Sequence, residues 1–345
     1  MIDDDDGGAG SEPMPDNDMP DNDMPDNDMP ADDRPVSDMP ESTMHGQGGR
    51  CGFIALVGAP NAGKSTLLNA LTGAKVSIVS PKAQTTRMRV LGITIEGDSQ
   101  LIFVDTPGIF SPRRRLDRAM VAAAWQGADD ADMVGVLVDC AHRGIGEDTQ
   151  AIIQRLKASG RTAILIVNKI DLVRRDTLLG LVDTLNRDGT FTETFMVSAT
   201  TGDGVADLRR HFAAAVSEGP WLYPEDQISD MPMRLLAAEL TREKLYLQLH
   251  QELPYSAAVE TESWEEFDDG SVKISQVVYI QRDGQKAIVL GKGGQRIKQI
   301  GQAARSELET LLERRVHLML FVKVRENWVD DPERYRDLGL DFGSR

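Results

Sequence analysis

Cysteine is scarce in this 345-residue chain, with only Cys51 and Cys140. Two cysteines build no disulfide framework, and neither lies in a cluster with metal-ligand spacing. The five histidines are scattered, without a His-x-x-His or His-Glu-x-x-His pattern, which argues against a zinc site. No apolar run approaches the ~20 residues that span a bilayer. The first residues, Met-Ile-Asp-Asp-Asp-Asp, are the opposite of a basic signal-peptide start. These absences point to a cytoplasmic protein.

Positive charge is nearly missing from residues 1–49, which hold 15 acidic residues and one basic residue, Arg34. Residues 50–345 carry 40 acidic and 37 basic residues, so the overall charge of −17 belongs mostly to the first segment. Asp-Asn-Asp-Met-Pro occurs three times in succession at 16–30. Proline at every fifth residue and dense like charge oppose helix, sheet and burial, so residues 1–49 read as a disordered acidic tail. Met44 is a second candidate start.

The character changes at Cys51. Strands are expected at Cys51–Val57, Val90–Ile95, Gln100–Asp105, Met133–Cys140, Ala163–Asn168 and Thr194–Ser198. Helices are expected at Lys64–Leu71 and near 117–127, 147–158, 175–186 and 204–216. Apolar runs alternating with amphipathic helices predict an α/β domain, a mostly parallel sheet covered on both faces, over 50–220. Residues 221–230 read as a linker. A second, α+β domain over 231–330 opens with a helix at Met233–Leu249, followed by strands at Ala257–Trp264 and Val272–Arg282. A glycine turn at 291–294, entered from an apolar strand, leads into a helix to about Glu313 and a strand at Val316–Val324. Residues 331–345 read as a C-terminal tail.

Gly58-Ala59-Pro60-Asn61-Ala62-Gly63-Lys64-Ser65-Thr66 matches a phosphate-binding loop between strand and helix. The glycines let backbone N–H groups curl toward phosphates, Lys64 faces the β and γ oxygens, and Ser65 offers a hydroxyl to Mg²⁺. Asp105-Thr106-Pro107-Gly108 ends an apolar strand; Asp105 can hold Mg²⁺ and the Gly108 N–H can meet a γ-phosphate. Asn168-Lys169-Ile170-Asp171 ends another strand. The Asp171 carboxylate can accept from guanine N1–H and its exocyclic amine, a donor pair that adenine lacks. Asn168 would tie the base loop to the phosphate loop, and the Lys169 stem would cover the ring. Ser198-Ala199 can present a backbone N–H to guanine O6. In the polar loop between the first two elements, Gln84-Thr85-Thr86-Arg87, one threonine can complete the Mg²⁺ shell when a γ-phosphate is present. Thr86 is favoured over Thr85. Lys64, Thr86 and Gly108 are thus the expected catalytic set, and Ser65, Thr86 and Asp105 the expected metal set. Together these elements imply binding of GTP and GDP and a Mg²⁺-dependent GTPase.

The wording Pro-Asn-Ala-Gly-Lys-Ser-Thr, Gln-Thr-Thr-Arg and Asp-Thr-Pro-Gly resembles the Era family of bacterial ribosome-assembly GTPases, over about Cys51 to Trp328. In the second domain, Gly291-Lys292-Gly293-Gly294 precedes a basic helix containing Arg296 and Lys298. Residues 284–325 hold nine Lys and Arg against three glutamates. A Gly-x-x-Gly turn entering a helix clamps about four nucleotides of single-stranded RNA, and the charge excess is the matching footprint. The element order is similar to the type II KH domain of Era, although relatives commonly place the lysine at the third position of the turn. The resemblance implies binding of 16S ribosomal RNA near its 3′ end and a role in 30S ribosomal subunit assembly and rRNA maturation. It also implies peripheral association with the cytoplasmic face of the inner membrane, for which no lipid anchor or basic amphipathic helix is evident.

Ile109, after Gly108, stands where Ras-type enzymes place the glutamine that orients water. Slow intrinsic hydrolysis is therefore expected, with acceleration by ribosome, RNA or a monovalent cation. Asn61 resembles the asparagine that coordinates K⁺ in related GTPases. Two alternatives are an RNA-binding module with a vestigial nucleotide pocket and a different ribosome-assembly GTPase, such as the double-domain type. The intact Lys64, Ser65, Asp105 and Asp171 speak against the first, and the single set of motifs against the second.

Overall fold

Strand β1 (Arg50–Gly58) is apolar on both sides, and its alternate side chains enter two different cores. Ile54 and Leu56 face helices α1 (Lys64–Thr72) and α5 (Val205–Ala215), while Ala55 and Val57 face α2 (Arg115–Asp130) and α3 (Glu147–Ser159). The same alternation runs through β4 (Met133–Asp139) and β5 (Ala163–Asn168), where Leu137, Ile164 and Ile166 oppose Val136, Leu165 and Val167. Strands buried on both faces have no polar side to show, which is why these segments read as continuous apolar runs. Phe103 and Phe212 meet edge to face at 5.6 Å, worth roughly 0.5–1.5 kcal/mol beyond their burial.

The computed structural model describes residues 49–343 except 83, 143, 188, 250–252, 254–256, 327 and 329–330. The acidic repeats, and the disorder expected of them, lie outside the described residues. With β2 (Val90–Glu96), β3 (Ser99–Asp105) and β6 (Phe191–Val197), the first sheet has the order β2-β3-β1-β4-β5-β6. Only β2 runs antiparallel. Helix α4 (Arg175–Asn186) connects the last two strands. The parallel strands end on one edge, and the chain reverses its direction of travel across the sheet at β1, where open α/β sheets bind ligands.

The expected linker is pinned to this domain. Buried Gln100 accepts from the N–H groups of Leu222 and Tyr223 at 2.8 and 3.0 Å and donates to Tyr223 O at 2.7 Å. Further along, the Ile93 N–H donates to Ile228 O at 2.9 Å.

The second domain packs α6 (Met233–Gln248) and α8 (Gln295–Leu312) on one face of a three-stranded sheet, β7 (Ala258–Glu266), β8 (Val272–Ile280) and β9 (Val316–Val324). One expectation is corrected here. The residues before Gly291 form a helix, α7 (Asp283–Leu290), and not a strand. The side-chain Oε1 of Gln285 accepts from the N–H groups of Gln281 and Arg282, capping the helix start, and Val289 fills the core. The C-terminal residues carry a short helix, α9 (Pro332–Asp337). Tyr335 and Leu340 are buried against Leu116, Ala119 and Met120 of α2, with Phe342 packed beside them. Among the described residues no helix is long and apolar enough to cross a membrane.

Candidate nucleotide site and nucleic-acid interface

Gly58 through Gly63 turn the chain from β1 into α1, so the helix N-terminus faces a cavity of about 440 Å³ lined by Asn61, Lys64, Ser65, Thr86, Gly108 and Lys169 among others. Gly63 sits at φ +97°, and a Cβ there would lie 2.3 Å from Asn168 Nδ2, so both conformation and space require glycine. Lys64 is buried. Its ammonium donates to Gly58 O and Ala59 O, each at 3.1 Å, which curls it over the loop and leaves a third donor. Burial pushes its pKa down to about 8, with Asp105 acting in the opposite direction. Gly108 packs against Pro60, and the neighbouring Ile109 N–H donates to Gly58 O at 3.1 Å.

Three expected metal ligands converge. Ser65 Oγ lies 2.7 Å from Asp105 Oδ2 and 2.7 Å from Thr86 Oγ1, and Thr86 Oγ1 is 3.2 Å from Asp105 Oδ2. Ser77, which the motif reading missed, adds a hydroxyl 3.0 Å from the same carboxylate oxygen. Burial raises the pKa of Asp105, against the pull of Lys64 and these hydroxyls. The other oxygen, Asp105 Oδ1, is buried with no hydrogen-bond partner. A hard-oxygen cluster with one orphaned carboxylate oxygen fits a small divalent cation such as Mg²⁺, held directly or through water. Thr85 turns away, its Oγ1 2.6 Å from Ser80 Oγ and donating to Lys82 O at 2.7 Å.

At the end of β5, Asn168 bridges three loops. Its Nδ2 donates to Ala62 O at 2.9 Å and its Oδ1 accepts from the Ala199 N–H at 3.0 Å. The N–H expected to meet guanine O6 is therefore engaged by Asn168, and the Ser198 N–H donates to Asp203 O at 2.9 Å. Lys169 adopts a left-handed φ of 67° and pairs with Asp139, which the motif reading also missed, at 2.6 Å. Asp171 is exposed in a 3-10 turn, Ile170–Leu172, two residues beyond the cavity-lining Lys169. Asn61, also at positive φ, is exposed. Thr66 lines the cavity, while Thr106 is buried beneath it, donating to Leu56 O at 3.0 Å.

In the second domain, Gly291, Gly293 and Gly294 all take positive φ, and Lys292 is exposed at the turn. Arg296 folds back, donating to Ile288 O at 3.1 Å, so part of its guanidinium closes α7. Lys298 lines a groove of about 320 Å³ between α8 and β9, together with Ile297, Gly301, Gln302, Arg305, Leu318 and Leu320.

Family models match this architecture: one described as a 50S ribosome-binding GTPase over residues 53–169, and one described as a KH domain over residues 252–329. The GTPase Era of Afipia carboxidovorans is 61% identical over 293 residues, covering 85% of this chain and 95% of the relative. The chain belongs to the Era family of GTPases. The Era of Rhizobium meliloti is likewise 61% identical, with 93% of its length covered. A solved Aquifex aeolicus Era variant bound to GDP and AlF4⁻ superposes with a TM-score of 0.79 at 41% identity, covering 84% of this chain and 99% of its own. A structure of Era in complex with MgGDPNP and nucleotides 1506–1542 of 16S ribosomal RNA gives 0.80 at 40% identity, with the same coverage. This Era-family chain is a GTPase with a P-loop domain followed by a KH domain.

Proposed function

We propose that this Era-family GTPase is a GTP-controlled switch that binds 16S rRNA near its 3′ end and assists maturation of the 30S subunit in the cytoplasm. One observation carries the coupling. The loop that brings Thr86 to Ser65 and Asp105 also contacts the KH domain, its Val79 N–H donating to Glu243 on α6 at 2.7 Å. A change at the γ-phosphate position is thereby felt by the RNA-binding half. The relative bound to MgGDPNP and 16S rRNA supports both ligands.

Ser65, Thr86 and Asp105 would hold Mg²⁺, which supplies charge neutralisation at the β and γ oxygens. Lys64 supplies a further positive charge from the loop, and Gly108 a backbone N–H to the γ-phosphate. Asp171 selects guanine through its two donors. Lys292 and the glycine turn approach the RNA backbone, with Arg296 and Lys298 behind them. Ile109 is buried among apolar side chains, so no side chain at that position orients water and intrinsic turnover is slow. We assign to Asn61, exposed at the loop's outer edge, a K⁺ ion that offsets transition-state charge.

GTP turnover in KCl and NaCl, with and without a single-stranded RNA from the 3′ end of 16S rRNA, tests this reading. Slow turnover that the RNA stimulates and Lys64→Ala abolishes is the expected result. Stimulation in potassium alone supports the Asn61 assignment. RNA that neither binds nor alters turnover overturns the coupled switch.

A further inference from the structure

The described residues of 76–88 form neither helix nor strand, yet this loop must hold one hydroxyl in place. Within the GTPase domain its start is tied by Asn69, whose Oδ1 accepts from the Val76 and Ser77 N–H groups, each at 3.0 Å, and further along Gln84 Nε2 donates to Asp117 at 3.0 Å. The peptide before Thr86 and the side chain after it are held from the other domain. Arg242 on α6 donates from Nη2 to Thr85 O at 2.6 Å. Arg87, buried, donates to Tyr246 Oη at 2.8 Å and to Ala257 O at 2.9 Å. Its guanidinium also lies over the Tyr246 ring, 5.7 Å from the centroid.

Arg242 is itself aimed. It is almost wholly buried, its Nε donates to Glu239 Oε1 at 2.7 Å, and Nη2 reaches Glu239 Oε2. A guanidinium forked onto a carboxylate has little freedom left, so its outer edge is a fixed donor. A peptide is planar, so fixing the Thr85 carbonyl fixes the plane that leads into Thr86. Arg87 fixes the next residue. Between the two, the direction of the Thr86 side chain is set.

We propose that Arg242 of the KH domain is a positioning residue for the GTPase centre, holding the Thr85 carbonyl so that the Thr86 hydroxyl sits against Ser65 and Asp105. The inference rests on the metal role given to Thr86 in the proposed function. It implies that the GTPase centre is completed by the second domain, in cis. It also implies selectivity between nucleotides: the phosphate loop and the base loop make none of these contacts, so diphosphate binding does not need Arg242.

The test uses the full chain, comparing Arg242→Gln and Tyr246→Phe with the unaltered protein. Measurements are GDP affinity, kcat and KM for GTP, and the Mg²⁺ concentration for half-maximal turnover. Losing a charge-assisted hydrogen bond from a buried site corresponds to roughly tenfold or more. Arg242→Gln is therefore expected to cut kcat/KM by that factor and raise the Mg²⁺ requirement, with GDP affinity within twofold. Tyr246→Phe, which keeps the ring and loses the hydroxyl that Arg87 uses, should move the same quantities less and keeps the test decisive if Arg242→Gln does not fold. Turnover and Mg²⁺ dependence unchanged in a folded variant overturn the inference. A parallel fall in GDP and GTP affinity also overturns it, because that is the mark of a general structural role. Absence of Lys64-dependent turnover in the unaltered chain is a different failure, that of the switch reading itself.

Discussion

Asn168 Nδ2 donates to the carbonyl of Ala62 at 2.9 Å across 106 residues of sequence, which joins the loop expected to face the base to the loop that faces phosphate. Its Oδ1 meanwhile holds the Ala199 N–H. Asn168→Ala strands both partners in a buried site. The expected outcome is a loss of roughly tenfold or more in affinity for GDP and GTP alike, measured with a fluorescent nucleotide. Affinity equal to that of the parent would show that the three loops are independent.

Lys64 gives a pH dependence. In the folded chain its pKa is pushed from 10.5 down to about 8 by burial. Between those values the unfolded chain binds more protons than the folded one, so the lysine's contribution to stability rises with pH across that window. Nucleotide works the other way, because phosphate favours the charged ammonium. Affinity for GDP is expected to fall above about pH 8, and binding there should take up a proton. Calorimetry in two buffers of different ionisation enthalpy reads the proton directly, and Lys64→Met should remove it.

Supplying the glutamine that other GTPases use will not accelerate this one. Ile109 is buried with Val57, Ala124 and Val136 in the core behind the sheet, so Ile109→Gln puts an amide among apolar groups. We expect a stability loss of about 1–3 kcal/mol and no gain in turnover. A faster enzyme would mean that the side chain swings out to the phosphate.

At the KH turn, Gly293 has open space around a notional Cβ but a φ of +59°. Lys292→Asp, which leaves that glycine in place, reverses the charge where RNA phosphates are expected. RNA binding should fall at least tenfold, by loss of charge-assisted contacts, and the fall should be larger at low salt. Turnover without RNA should not change. Unaltered RNA binding would move the interface elsewhere.

What the residues disclosed in advance follows from their chemistry. Gly58, Asp105 and Asn168 end apolar runs, and a run buried on both faces can only be a central strand, so the sheet and its functional edge were legible. Thr86 was favoured over Thr85 without being settled, because identical neighbours differ only in the partners the fold brings them: Ser80 and Lys82 for one, Ser65 and Asp105 for the other. Helix α7 was misread because Ala287–Leu290 is too short a run to show a period, and the deciding cap, Gln285, acts through backbone groups. Arg242 was invisible in principle. It belongs to one domain by sequence and serves the other by position.

The C-terminal clasp on α2 changes how the KH domain is tethered. The chain leaves the GTPase domain along Gln100 and Ile93 and returns to it at Tyr335 and Leu340. Both ends of the KH domain are thus sewn to the same neighbour. Such a unit does not swing on one strap. Letting go at one seam leaves the other intact, so the released surfaces still face each other at a local concentration of order millimolar. Separation of the two halves is then short-lived and self-reversing unless a third party, such as a bound RNA, fills the gap.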